Sequence, residues 1–315
     1  MLTFYALWGK GIFLHYDEWV GRGLYPGIAM AHGADLYEPS MGPHVTLYGC
    51  GSALFYSIAA LASSPSGAIW FGFILNVFAF LGPLIYLLNR LFSSFSSSKC
   101  YSIYVATGAS FLILAVLAIE PTTEGILRLH ADLPAFFFLM TGLCLFDIHL
   151  RKKRGYWLSL TCLFLTLSFW AKIPTLPATF FPCFFLLLRG RIREAIHFIL
   201  LLGAAFAFTT FCFTFAYGWD DTVFILYEHV KAASLWDDRN DLFSGPNSWT
   251  RRTYFEAIPI LFRFHVMYLA EYWFVILSTF TVFIITLRSS KESHWDNILL
   301  NLCLIYALTL SPCLA

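Results

Sequence analysis

Long apolar runs alternate with short polar breaks along most of the chain. The strong runs fall at roughly 67–88, 101–119, 133–150, 156–171, 174–188, 196–217, 258–286 and 297–312. Runs of this length and composition predict helices that cross a bilayer. The start of the chain behaves differently. Residues 1–14 are mostly apolar and carry one charge, Lys10. At about 1.5 Å per residue that helix reaches about 21 Å, against a hydrocarbon core of about 30 Å. It reads as the outer end of a spanning helix whose beginning is missing, with Lys10 snorkelling to the interface. Residues 17–45 read as a polar loop in which Ile28 to His32 makes one short interfacial turn. Leu47 to Ala62 is apolar but short and rich in Gly and Ser. Its sixteen residues give about 24 Å, too little to cross an ordinary bilayer.

Composition fixes the class. The chain is 59% hydrophobic and only 12% charged, where soluble domains run near 25% charged. An all-α, polytopic membrane protein follows, in one membrane-embedded domain over 1–315. A net charge of +1 argues against a nucleic-acid footprint and leaves membrane lipids as the expected surroundings. The first apolar run lacks a basic leader and a small-residue cleavage site, so no signal peptide is expected. The eight cysteines form no CxxC pair and lie mostly inside apolar runs. They read as small buried hydrophobes, and no metal site is expected.

The basic residues orient the bundle. They cluster at Arg90 and Lys99, at Arg151 to Arg154, at Arg189, Arg191 and Arg193, and at Arg288 and Lys291. These loops are expected on the cytoplasmic side. The alternation puts residues 120–131, the Lys172 turn and the polar stretch 218–257 on the outer side. If Leu47 to Ala62 lies flat or re-enters, Asp17 shares that side with Glu120, Glu124 and Asp132. The layout is then a first outer loop with interfacial helices over about 15–66, spanning helices over about 67–217, an outer loop at 218–257 and further helices at 258–312.

Three outer-side features carry candidate chemistry. The first is the pair Asp17-Glu18. The second is Arg128-Leu129-His130-Ala131-Asp132, where an acid opens a helix and Pro134 follows. That arrangement is also ordinary capping chemistry. The third is Lys172, between Trp170 and Pro174, where a snorkelling lysine is commonplace. Together they join carboxylates to cationic groups. That combination suits transfer of a group from a phosphate to a hydroxyl, one carboxylate deprotonating the acceptor and cations holding the departing phosphate. Arg263 and Glu271, inside the run 258–286, are further charges at a cost of about 3 kcal/mol each near a bilayer centre.

The order of these features resembles the GT-C membrane glycosyltransferases, the class of protein O-mannosyltransferases and aminoarabinose transferases. The resemblance rests on Asp17-Glu18, then Gly33-Ala34-Asp35-Leu36-Tyr37, then Gly42-Pro43 through Tyr48-Gly49, then Arg128 to Asp132, then Lys172. It covers roughly residues 1–220. Departures are a short first helix, Gly-Pro-His in place of a Pro-Pro motif, and an end inside an apolar run at Ala315. The resemblance implies a GT-C-like helical bundle and an inverting transfer of sugar from a polyprenyl-phosphate carrier to an acceptor on the outer, periplasmic or lumenal face. It implies Asp17 as general base with Glu18 and Asp132 beside it, and Lys172, Arg128 and His130 on the carrier phosphate. No cofactor is implied. Two other readings compete: a lipid or solute transporter or flippase, and a non-catalytic membrane assembly subunit. Transport would call for internal repeats and midplane charges. No repeat is evident, and the acids fall mainly in polar loops.

Overall fold

The computed structural model describes residues 21–34, 36–37, 49–94, 129–223 and 225–226. The apolar runs 101–119, 258–286 and 297–312 lie outside the described residues, with Lys10, Glu120, Glu124, Arg263 and Glu271. So do residues 1–14 and all of 227–257. What is described is all helical.

Three helices are long and apolar enough to cross a membrane. They are α3 (Pro65–Ser94), α4 (Asp132–Lys152) and α8 (Ile192–Tyr217). A fourth, α5 (Gly155–Ala171), is apolar but shorter. α4 is the central helix, 78% buried over its apolar window, whereas α8 is 17% buried. Ile196, Leu200, Phe208, Phe211 and Phe215 stand exposed along α8. An apolar helix this open on its outside is what a lipid environment allows.

Side-chain contacts fix the directions. Phe80 of α3 stacks on Phe136 of α4 at 5.7 Å, and Tyr86 reaches Asp147 further along both helices. α3 and α4 therefore run parallel. α5 returns antiparallel: Ser168 Oγ donates to Ala135 O at 3.0 Å, and Gly142 faces Leu165. A Cβ at Gly142 would lie 2.9 Å from the Leu165 side chain. Lipid offers apolar helices no hydrophobic reward for associating, so close approach at small residues and buried hydrogen bonds do the holding. α8 then runs parallel to α5, with Cys162 against Phe198 and Trp170 against Thr209.

Between α5 and α8 the chain crosses in pieces. The expected run 174–188 is a 3-10 turn at Ile173–Thr175, then α6 (Leu176–Thr179) and α7 (Phe181–Leu188). Pro174, Pro177 and Pro182 each lack the N–H an uninterrupted helix needs, so the segment breaks at proline spacing.

The bundle thus has two chemically different ends. One gathers Arg90, Arg151, Lys152, Lys153, Arg154, Arg189, Arg191 and Arg193, with Asp147 and Glu194 as described acids. The other holds His130, Asp132 and Lys172. The 21 residues of α4 separate them by about 30 Å.

At the basic end, Asp147 is a keystone that sequence reasoning passed over. Its carboxylate accepts from Tyr86 Oη at 2.5 Å, Arg90 Nε at 3.1 Å and Arg151 Nε at 3.2 Å. Its side chain is 3% exposed, while Arg90 and Arg151 are 18% and 35% exposed. Removing the acid takes a carboxylate from two cations that still partly reach water. Asp147→Leu is expected to cost about 2–3 kcal/mol, below the roughly 3–5 of a fully buried pair. Unfolding in detergent at rising denaturant measures it, and an unchanged midpoint would show that the network is dispensable.

Candidate functional site

The non-basic end is built by segments from four parts of the chain. α1 (Gly21–Ala31) forms where sequence reasoning saw a polar loop with one turn. Its glycines explain the difference. Gly23 N–H donates to Leu129 O at 2.8 Å, and a Cβ at Gly23 would sit 2.4 Å from that oxygen. A Cβ at Gly27 would meet Tyr56 at 2.6 Å. Glycine weakens an isolated helix, but here it lets the helix backbone touch its neighbours, and tertiary contact outweighs propensity.

α2 (Cys50–Tyr56) continues into a 3-10 turn, Ser57–Leu61. Its start is pressed on the end of α5: a Cβ on Gly49 would lie 2.2 Å from Trp170 O, and one on Gly51 2.5 Å from Ala171 N. Its end meets α3 and α4. Tyr56 Oη donates to Asn76 Oδ1 at 2.7 Å and lies 3.2 Å from His130 O. Both ends of this short segment therefore stay at the non-basic end of the bundle. Burial pushes the Tyr56 phenol well above its ordinary range, so it remains a neutral donor. Burial likewise pushes the Cys50 thiol up to about 12, which rules it out as a nucleophile at neutral pH.

The turn after α1 is held too. Gly33 has φ +73°, the left-handed conformation that a Gly adopts without cost. Leu36 is fully buried, and Tyr37 packs edge-on against Phe213 and Tyr217 at 5.4 and 5.1 Å. Trp170 stacks on Phe213 at 4.8 Å and donates its Nε1–H to Thr209 at 2.9 Å. These contacts lock the residues next to Lys172.

In this frame stand three of the expected residues. Asp132 is the first residue of α4, after the N-cap Ala131, and no side-chain cap bond is made there. Its carboxylate is turned elsewhere. One oxygen, Oδ2, meets His130 Nδ1 at 2.6 Å. The other, Oδ1, pairs with the Lys172 ammonium. A carboxylate can only accept, so Nδ1 is the protonated nitrogen of His130. Lys172 likewise does not merely reach for water: its side chain is 20% exposed, and that of Asp132 14%. Residues forty positions apart thus form one half-buried charge cluster. Carboxylate, imidazole and ammonium in contact can orient one another, hold an anion through the remaining ammonium N–H groups, and stabilise charge that develops nearby.

Asp17, Glu18 and Arg128 lie outside the described residues, as do Asp35, Gly42, Pro43 and Tyr48. Sequence reasoning missed Tyr56 and Asn76, which support the His130 backbone. The available signal was Asn76, a lone amide in the run 67–88. The loop expected from 218 onward opens with a short helix, α9 (Trp219–Val223), after Gly218 at φ +98°. Among the described residues no group of three or more His, Cys, Asp or Glu side chains is placed to hold a metal ion. Comparison with protein families, with curated proteins and with solved structures finds no match for this chain.

Proposed function

We propose that this protein is a membrane glycosyltransferase that moves a sugar from a polyprenyl-phosphate carrier to an acceptor hydroxyl, at the outer face of a bacterial inner membrane or ER-type membrane. The observation that carries the reading is the His130–Asp132–Lys172 cluster. It lies at the end of the bundle opposite the basic loops, under short helices that begin and end on that same side. On this reading α1 and α2 are the interfacial helices of a GT-C-like first outer loop.

The chemistry needs three things: a base for the acceptor, a holder for the phosphate, and exclusion of water. Asp17, six residues before the Gly23–Leu129 contact, supplies the base, with Glu18 orienting. It takes the acceptor proton, the acceptor oxygen attacks the anomeric carbon from the opposite face, and the bond from that carbon to the phosphate oxygen breaks. The electron pair leaves on the phosphate, and the sugar is inverted. Lys172 has three N–H donors, of which Asp132 takes one; the others face the growing phosphate charge, with Arg128 and His130 beside it. Asp132 positions Lys172 and His130.

The test is direct. The purified protein is incubated with short-chain polyprenyl-phosphate sugars, and release of the carrier phosphate is followed. Turnover with at least one sugar is expected. If no sugar is released across a panel of carriers and acceptors, a transport or assembly role becomes the better account.

A further inference from the structure

About 30 Å from that cluster, at the far end of α4, lies an open cavity of about 420 Å³ lined by Leu150, Lys153, Arg189, Arg191 and Glu194. Three cations against one carboxylate leave its lining at a net charge of +2. Glu194 and Arg191 are paired with each other, Arg191 Nε donating to Glu194 Oε1 at 2.8 Å with His149 Nε2 3.8 Å from the other oxygen, so the net charge of the lining comes from Lys153 and Arg189. The wider basic end carries eight cations and two acids, a net of +6 over the described residues.

The backbone is shaped to present those cations. α7 is stopped by Gly190, two residues past its last turn, at φ +70°, with Gly190 N–H on Leu187 O and Arg191 N–H on Leu186 O. That is an ordinary glycine helix stop. α4 ends the same way but with a lysine: Lys153 has φ +51° and donates its N–H to His149 O at 2.7 Å. It is the one non-glycine residue with positive φ among the described residues. A long side chain in that conformation is disfavoured, and here it lines the cavity. Beside the cations stand exposed apolar side chains, Leu188 at 71%, Ile192 at 59% and Ile196 at 56%. A cationic cleft with an apolar rim fits an amphiphile, with a phosphate in the cleft and acyl chains along the rim.

We propose that this cavity binds the phosphate of an anionic phospholipid headgroup at the basic face of the membrane. The site is separate from the sugar-transfer cluster and does not rest on that assignment.

The test uses the full-length protein in neutral detergent, with native mass spectrometry to count retained lipid. Phosphatidylglycerol and phosphatidylcholine of matched chains are compared, and inorganic phosphate is the soluble control. Phosphatidylglycerol is expected to be retained at least fivefold better than phosphatidylcholine. Lys153→Gly keeps the left-handed backbone at no cost and removes one cation, so thermal stability holds while retention falls about fivefold. Adding Arg189→Gln lowers retention further, to about a tenth or less. Equal retention of the two lipids, or full retention in the double variant, overturns the proposal. Inorganic phosphate binding as tightly as the lipid overturns the lipid assignment.

Discussion

Lys172→Met is expected to destabilise the folded protein by about 3 kcal/mol and to lower turnover with a carrier-linked sugar. Met keeps the length and apolar stem of the lysine, so packing against the Trp170 end of α5 is little changed. What is lost is the charge that faces Asp132, whose side chain is 14% exposed. A carboxylate that loses its cation in such a place costs more than the pair was worth, typically about 3–5 kcal/mol when fully buried. The residual exposure of both partners puts this case at the lower end. The decisive measurement is a double-mutant cycle. Asp132→Asn can still accept from His130, and Lys172→Met with Asp132→Asn leaves no stranded charge. The double variant should recover much of the lost stability, with a coupling energy of about 1.5–3 kcal/mol. Lys172→Arg keeps the charge with altered geometry and should restore part of both stability and turnover. Strict additivity of the two single changes would show that the lysine only reaches water, as sequence reasoning alone allows.

That contrast shows where the sequence was informative and where it was not. The long helices among the described residues were legible because an apolar run of that length has few alternatives. The runs at 133–150, 156–171 and 196–217 became α4, α5 and α8 within a few residues. The gathering of the basic turns was legible for a similar reason. Arg90, Arg151 to Arg154 and Arg189 to Arg193 do gather at one end, because cations are costly to bury and the chain turns there each time. The run 174–188 was legible as a crossing but not as a broken one, although its three prolines stood in plain view.

Pairings between distant residues were not legible. Asp132 looked like a cap because a carboxylate at a helix start usually is one. Nothing in the local sequence says that a lysine forty residues later will arrive beside it. Asp147 could have been noticed, since an acid inside an apolar run four residues before Arg151 invites an i,i+4 pair. Its other two partners, Tyr86 and Arg90, come from another helix and leave no local mark. α1 was hidden by its own glycines and Pro26, which read as a loop until Leu129 and Tyr56 are seen lying against Gly23 and Gly27.

Asp17→Asn is expected to lower turnover by about 100-fold or more, the usual consequence of removing a general base, while leaving stability unchanged. Two carboxylates compete for the role of base. Asp132 is engaged on both oxygens, by His130 on Oδ2 and by Lys172 on Oδ1. An oxygen that already accepts from an ammonium or an imidazole N–H is a poor destination for a further proton, because taking it would break the contact. On the proposed glycosyltransferase reading, Asp132 is therefore a positioning residue and the base is the acid of the Asp17-Glu18 pair, which precedes α1 in the sequence. The two substitutions should separate cleanly. Asp132→Asn should cost stability, together with a smaller loss of turnover through the displaced lysine. Asp17→Asn should cost turnover alone, with Glu18→Gln milder than either. The readouts are carrier phosphate release under saturating acceptor and the unfolding midpoint in detergent. If Asp132→Asn abolishes transfer in a fully stable protein while Asp17→Asn transfers normally, the roles are reversed, and His130 with Asp132 must be treated as the proton-accepting pair.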